Sequence, residues 1–140
     1  MTIGETYNYL KKVRRLDWTI QRLMLQRDEL QSCLLPAAIR YDKDVVQSSP
    51  EDKLSDVTAA VLDMDNRILK LQEQKARAIS EIGRAVDLLT NEREAAVLTA
   101  YYIRRMTMAK TADDLGWSVQ HVYRLRKSGV QHLSKIIRNV

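Results

Sequence analysis

Apolar side chains in the first part of the chain fall at Tyr9, Val13, Leu16, Ile20, Leu23, Leu30 and Leu34, alternately three and four residues apart, with Arg27 filling the one remaining position of the row. This alternation keeps the side chains on a single stripe of an α-helix, and it is the heptad signature of helices that pack side by side. Thr2, with Glu5 three residues later, supplies a capping box for the start, and Pro36 opposes helix in the residue before it. The pattern therefore predicts one long helix over about residues 5–35. No helical period runs through residues 36–49, and that connection closes on Ser49-Pro50-Glu51-Asp52. These read as an N-cap, a proline at the first helical position and two carboxylates at the positive end of the helix dipole. The second helix, predicted from Pro50, carries the longest row in the chain: Leu54, Val57, Val61, Met64, Ile68, Leu71, Lys75, Ala78, Ile82, Ala85 and Leu89. Only Lys75 breaks its apolar character.

Two striped helices joined by a short connection are expected to form an antiparallel helical hairpin, a coiled coil over residues 1–89. One hairpin leaves part of each stripe in water, and the expected remedy is a homo-oligomer, in the simplest case a dimer. Arg27 and Lys75 are expected to set register or to reach past the stripe to solvent. Cys33, near the end of the first amphipathic helix, is expected to be a small buried hydrophobe.

In residues 90–140 the rows are shorter. Asn91 and Glu94 offer a cap and a carboxylate ahead of Ala95, Leu98, Tyr102 and Met106, predicting a helix over about residues 91–105 in which Tyr101 and Tyr102 belong to the core. Thr107 caps a second, shorter helix that turns Ala112 and Leu115 inward and ends at Gly116, where a left-handed residue is wanted. Trp117 is expected to plug the core beside this turn. Ser118 then caps a third helix with Val122 and Leu125 on its inner face, leaving Val119, Gln120, His121, Tyr123, Arg124 and Lys127 on or near the outer one. A short helix, a turn containing glycine and a second helix with a polar, basic outer face make up a helix-turn-helix. Such an outer face suits base edges: Gln pairs with adenine, Arg with guanine, and the methyl groups of Val119 meet a thymine methyl. His121 is read as a DNA-facing residue, and phosphate contacts are expected from Lys110, Arg126, Lys127 and the capped helix ends, Ser118 among them.

Charge sharpens the division. Residues 1–89 hold 14 Lys and Arg against 14 Asp and Glu, whereas residues 90–140 hold nine basic against four acidic residues, with no acid after Asp114. An asymmetry of this kind points to a polyanion-binding module joined to a neutral one, with double-stranded DNA as the expected partner. Composition mainly excludes. The single cysteine rules out an intrachain disulfide and a cysteine-based zinc cage, and fits a reducing, cytoplasmic setting. His121 and His132 have no further ligands at metal-binding spacing, and no phosphate loop or nucleophile motif is present. No enzyme activity, cofactor or metal is expected. No apolar run approaches the roughly 18 residues of a membrane span, and no basic flank leads into an apolar segment at the start.

Residues Leu89–Leu98 (LTNEREAAVL) and Thr111–Leu125 (TADDLGWSVQHVYRL) resemble the carboxy-terminal helix-turn-helix of sigma factors, the region that reads the upstream promoter element. With its amino-terminal heptad rows the whole chain is similar to the small sigma-like transcriptional regulators of phages and prophages of Gram-positive bacteria, the RinA and ArpU type that activate late genes. Thr111 stands where that family carries a larger aliphatic residue, and nothing here resembles the other sigma domains. The resemblance implies an accessory activator that binds promoter DNA, with host RNA polymerase as a second partner, rather than a complete sigma factor. Taken together, the expected fold is all-α, a hairpin over 1–89 followed by a helix-turn-helix domain over 90–140. The expected function is sequence-specific regulation of transcription. The alternatives are a phage DNA-packaging adaptor of the small-terminase kind and a coiled-coil structural protein.

Overall fold

Residues 1–34 and 50–138 are described by a computed structural model, and they are all-α, with no strand among them. The helices are α1 (Ile3–Leu10), α2 (Lys12–Ser32), α3 (Pro50–Val86), α4 (Glu92–Leu98), which runs on into a turn of π-helix over Thr99–Ile103, α5 (Met108–Leu115) and α6 (Val119–Arg138). The capping box at the start of α1 forms as the sequence predicts. Thr2 Oγ1 accepts from the Glu5 N–H at 3.1 Å, and Glu5 Oε2 accepts from the Thr2 N–H at 3.0 Å. The single helix predicted over 5–35 is instead divided at Lys11, whose N–H still donates to the Tyr7 carbonyl. The connection at 36–49, with the cap expected at Ser49, lies outside the described residues.

Both apolar rows mark the inner faces. Every row position from Tyr9 to Leu34 and from Leu54 to Leu89 is buried or half-buried, Arg27 and Lys75 included. The chain divides into two compact units, one of residues 17–74 and the other of residues 1–16 with 75–140. In the first, Ile20 and Leu23 of α2 pack with Ile68 of α3, flanked by Met24, Met64 and Leu71. Arg27 joins this face through an ion pair to Asp65 at 3.2 Å, so the seam arginine has its partner on α3. Cys33 departs from expectation: it is exposed, with its thiol donating to the Glu29 carbonyl at 3.3 Å. It falls between the row positions Leu30 and Leu34 in sequence and about 100° round the helix from Leu34, on the flank of the row.

The second unit does not begin at residue 90. Its main core joins Leu10 and Val13 to Ala78, Ile82, Val86 and Leu89, and to Leu98, Tyr102, Val130 and Leu133. Residues 1–16 and 75–89 are thus one wall of the core on which α4 and α6 pack. Tyr102 lies at its centre with 1% of its surface exposed, and burial is the main cause that pushes its phenol up to about 12. A smaller cluster of Val97, Met108, Ala112, Val122 and Leu125 seats α5 and the first turns of α6, with Tyr101, Leu115 and Trp117 at its edge.

Candidate nucleic-acid interface

The site expected from the sequence centres on α5, the turn after it and the start of α6. Thr107 Oγ1 accepts from the Lys110 N–H at 3.1 Å and caps α5. Thr111 is buried, and its hydroxyl donates to the Thr107 carbonyl at 2.8 Å, so a polar side chain occupies this inner position with its hydrogen bond made. At the other end Gly116 adopts φ 71° and ψ 30°, the left-handed conformation. There the Trp117 N–H donates to the Ala112 carbonyl at 3.0 Å, closing the helix as a Schellman turn. Ser118 Oγ accepts from the His121 N–H at 3.2 Å and starts α6. Two caps and one left-handed residue therefore fix the angle between two short stretches of helix.

On α6, Val122 and Leu125 are buried against α4 and α5. Val119, Gln120, Tyr123, Arg124 and Lys127 are all exposed, and Ser118 and Lys110 are exposed beside them. At 100° per residue the five α6 positions fall within an arc of about 140°, a single outward face. Two predicted site residues are placed differently. His121 is half-buried, with its ring edge-on to Trp117 at 5.6 Å. Arg126 is half-buried too, its guanidinium 5.0 Å from the Tyr101 ring and 5.1 Å from the Tyr123 ring. Both lie at the edge of the inner face, where an aromatic surface competes with solvent for them.

Arg14 is a residue that sequence reasoning missed. Its guanidinium donates to the carbonyls of Tyr101 and Met106, each at 3.0 Å, and lies 4.1 Å over the Tyr101 ring. It holds the segment leading into α5, where Arg105 takes a positive φ of 59°. Glu94 was missed as well. Asn91 caps α4 by accepting from the Arg93 and Glu94 N–H groups, while the buried Glu94 carboxylate turns to α6 and accepts from Ser128 Oγ at 3.0 Å. The same carboxylate meets His132 Nδ1 at 2.9 and 2.8 Å. Among the described residues no three His, Cys, Asp or Glu side chains gather as a metal site would need, and no helix is long and apolar enough to cross a membrane.

Residues 35–134 match the model of a family described as protein of unknown function (DUF1492), and the chain belongs to that family. The match takes in α3, α4, α5 and most of α6 and leaves out α1 and α2 with Arg14. No curated protein and no solved structure matches the chain.

Proposed function

We propose that this member of the DUF1492 family is a sequence-specific regulator of transcription that binds double-stranded DNA through a helix-turn-helix made of α5, Gly116 to Ser118 and α6. The observation that carries the reading is the outward face of α6. Val119, Gln120, Tyr123, Arg124 and Lys127 stand together on it, exposed and without an acid among them, while Val122 and Leu125 lock the opposite face into the core. A helix of this kind fits the width of the major groove, and these side chains have the reach and polarity that base edges require. Lys110 and Ser118 flank it as phosphate contacts, and Arg126 acts from between its two tyrosines. The protein acts in the cytoplasm as a dimer, an accessory activator of phage late genes that works with host RNA polymerase.

Selection of bound sequences from a random duplex library with the full chain tests this directly. A defined motif is expected. Arg124→Ala should lower affinity for it by roughly 5- to 150-fold and relax the preference at one base position. Lys127→Ala should weaken all sequences alike and reduce the slope of log affinity against log salt by about one. Binding with no enriched motif and a steep salt slope would sink the regulator reading and favour the packaging adaptor.

A further inference from the structure

We propose that Arg14 is a positioning residue for the DNA-facing surface of α6: through the ring of Tyr101 it holds the Arg126 guanidinium where it meets a DNA phosphate. The inference rests on the DNA-binding reading above and deepens it, bringing in a residue of α2 from outside the helix-turn-helix. Four side chains carry it, alternately cation and ring. The Arg14 guanidinium lies 4.1 Å from the centre of the Tyr101 ring, and Arg126 lies 5.0 Å from the same ring. Arg126 in turn lies 5.1 Å from the ring of Tyr123, which is 47% exposed on the outward face of α6.

The inner members of this series are firmly placed. Arg14 Nη2 donates to the carbonyls of Tyr101 and Met106, each at 3.0 Å, so one guanidinium holds both the backbone and the ring of Tyr101. Tyr102, 1% exposed, meets the Tyr101 ring edge-on at 4.8 Å and backs it from the core. Arg126, by contrast, is held by rings. Its Nε is buried and meets no acceptor among the described residues, and no acid follows Asp114 in the chain. A ring attracts a guanidinium without supplying an oxygen to accept from it. Arg126 is thus an oriented cation in want of an acceptor, and a phosphate oxygen is the acceptor that duplex DNA presents beside a recognition helix. Holding this long side chain in advance removes rotamer entropy that binding would otherwise cost. Arginine suits position 14 because the ammonium of a lysine, a point charge on a flexible stem, lacks the plane that lies against the ring.

Fluorescence anisotropy with the full chain tests this, on the duplex that wild type selects or, where it selects none, on a duplex of random sequence. Arg14→Lys keeps the net charge, so a change in affinity reports position rather than charge. It should weaken binding roughly 3- to 30-fold and reduce the slope of log affinity against log salt by about one, as loss of the Arg126 contact itself would. On top of Arg126→Ala it should change affinity by less than about twofold and leave the slope as it is. Tyr101→Leu breaks the ring link but leaves both carbonyls in place, and it should behave as Arg14→Lys does. Tyr101→Phe keeps the ring and should match wild type. Circular dichroism establishes that each variant is folded at the temperature of the measurement, and where Arg14→Lys is not, the two Tyr101 variants decide alone. An arginine that serves only the fold would lower the Tm, leave the salt slope alone and cost the same factor with and without Arg126. That result, or Tyr101→Leu binding as wild type does, would overturn the proposal. The two readings fail separately. A chain that selects a sequence but ignores Arg14→Lys and Tyr101→Leu keeps the regulator and loses the role of Arg14. One that selects none but follows these substitutions on random DNA keeps that role and loses the regulator, and a chain that binds no duplex loses both.

Discussion

Glu94 is a buried acid whose partners come from neighbouring turns of α6. Ser128 and His132 reach its two oxygens, and Gly129 between them lets α4 approach closely. A Cβ at residue 129 would fall 3.2 Å from Leu98 Cδ1 and 3.3 Å from Glu94 Cβ. A carboxylate out of water depends on such bonds, so removing one partner strands the other. Denaturant unfolding of His132→Ala is expected to show a loss of about 1–3 kcal/mol, and the same change made on top of Glu94→Ala should cost much less. Equal costs in both backgrounds would show that the contact contributes nothing. Tyr102 makes a second prediction, this time in pH. The folded phenol is pushed up to about 12, chiefly by burial, with Arg126 and Arg14 pulling it down and Tyr7 and Tyr101 adding to the rise. The folded state therefore holds this proton more tightly than the unfolded chain, whose tyrosines titrate near 10. The stability it contributes is complete below pH 10 and is lost as pH rises toward 12. Tyr9, raised by burial and then by Glu81, adds in the same direction. In thermal melts Tyr102→Phe should hold its Tm better than wild type between pH 10 and 12, and parallel curves would refute the assignment.

At the scale of the helices, much was legible because a row of apolar residues reports which face is buried. Both heptad rows, the Thr2 capping box, the Thr107 and Ser118 caps and the left-handed Gly116 all follow from local rules, and the structure shows each of them. The exposed outer face of α6 followed from the same periodicity. What the rows do not report is the partner. Nothing in the neighbourhood of Arg14 points to carbonyls 87 and 92 residues away, and nothing around Glu94 points to a histidine 38 residues on. The exit from the π-helical turn is hidden for another reason. The Met106 N–H donates to the Ala100 carbonyl at 3.0 Å, a closure that needs a residue of positive φ, and that residue is Arg105 instead of the glycine that would have signalled it. His121 and Arg126 show the limit of reading faces by angle. Both sit on the border between inside and outside, and aromatic neighbours decide for the inside, Trp117 one turn back for His121 and the distant Tyr101 for Arg126.

For the molecule as a whole, the consequence lies in which pieces can fold alone. A division at residue 90 follows the charge, since the positive excess begins there, but packing follows a different line. Leu98, Tyr102, Val130 and Leu133 are buried against Leu10, Val13, Ala78, Ile82, Val86 and Leu89, all of which precede that point. A fragment of residues 90–140 would expose this face, four large side chains among them, at a cost of roughly 1.5–3 kcal/mol for each one fully uncovered. Such a loss is comparable to the whole stability of a typical small domain. The fragment is therefore expected to lack a cooperative thermal transition. A chain in which a short Gly-Ser linker replaces residues 17–74, joining Leu16 to Lys75, keeps every residue of that core. It should melt cooperatively, with most of its helix retained. Circular dichroism on the two pieces decides the matter: cooperative melting of 90–140 would mean that charge and packing divide the chain at the same place, whereas its loss together with a folded linker variant would make residues 1–16 and 75–89 structural parts of the basic unit.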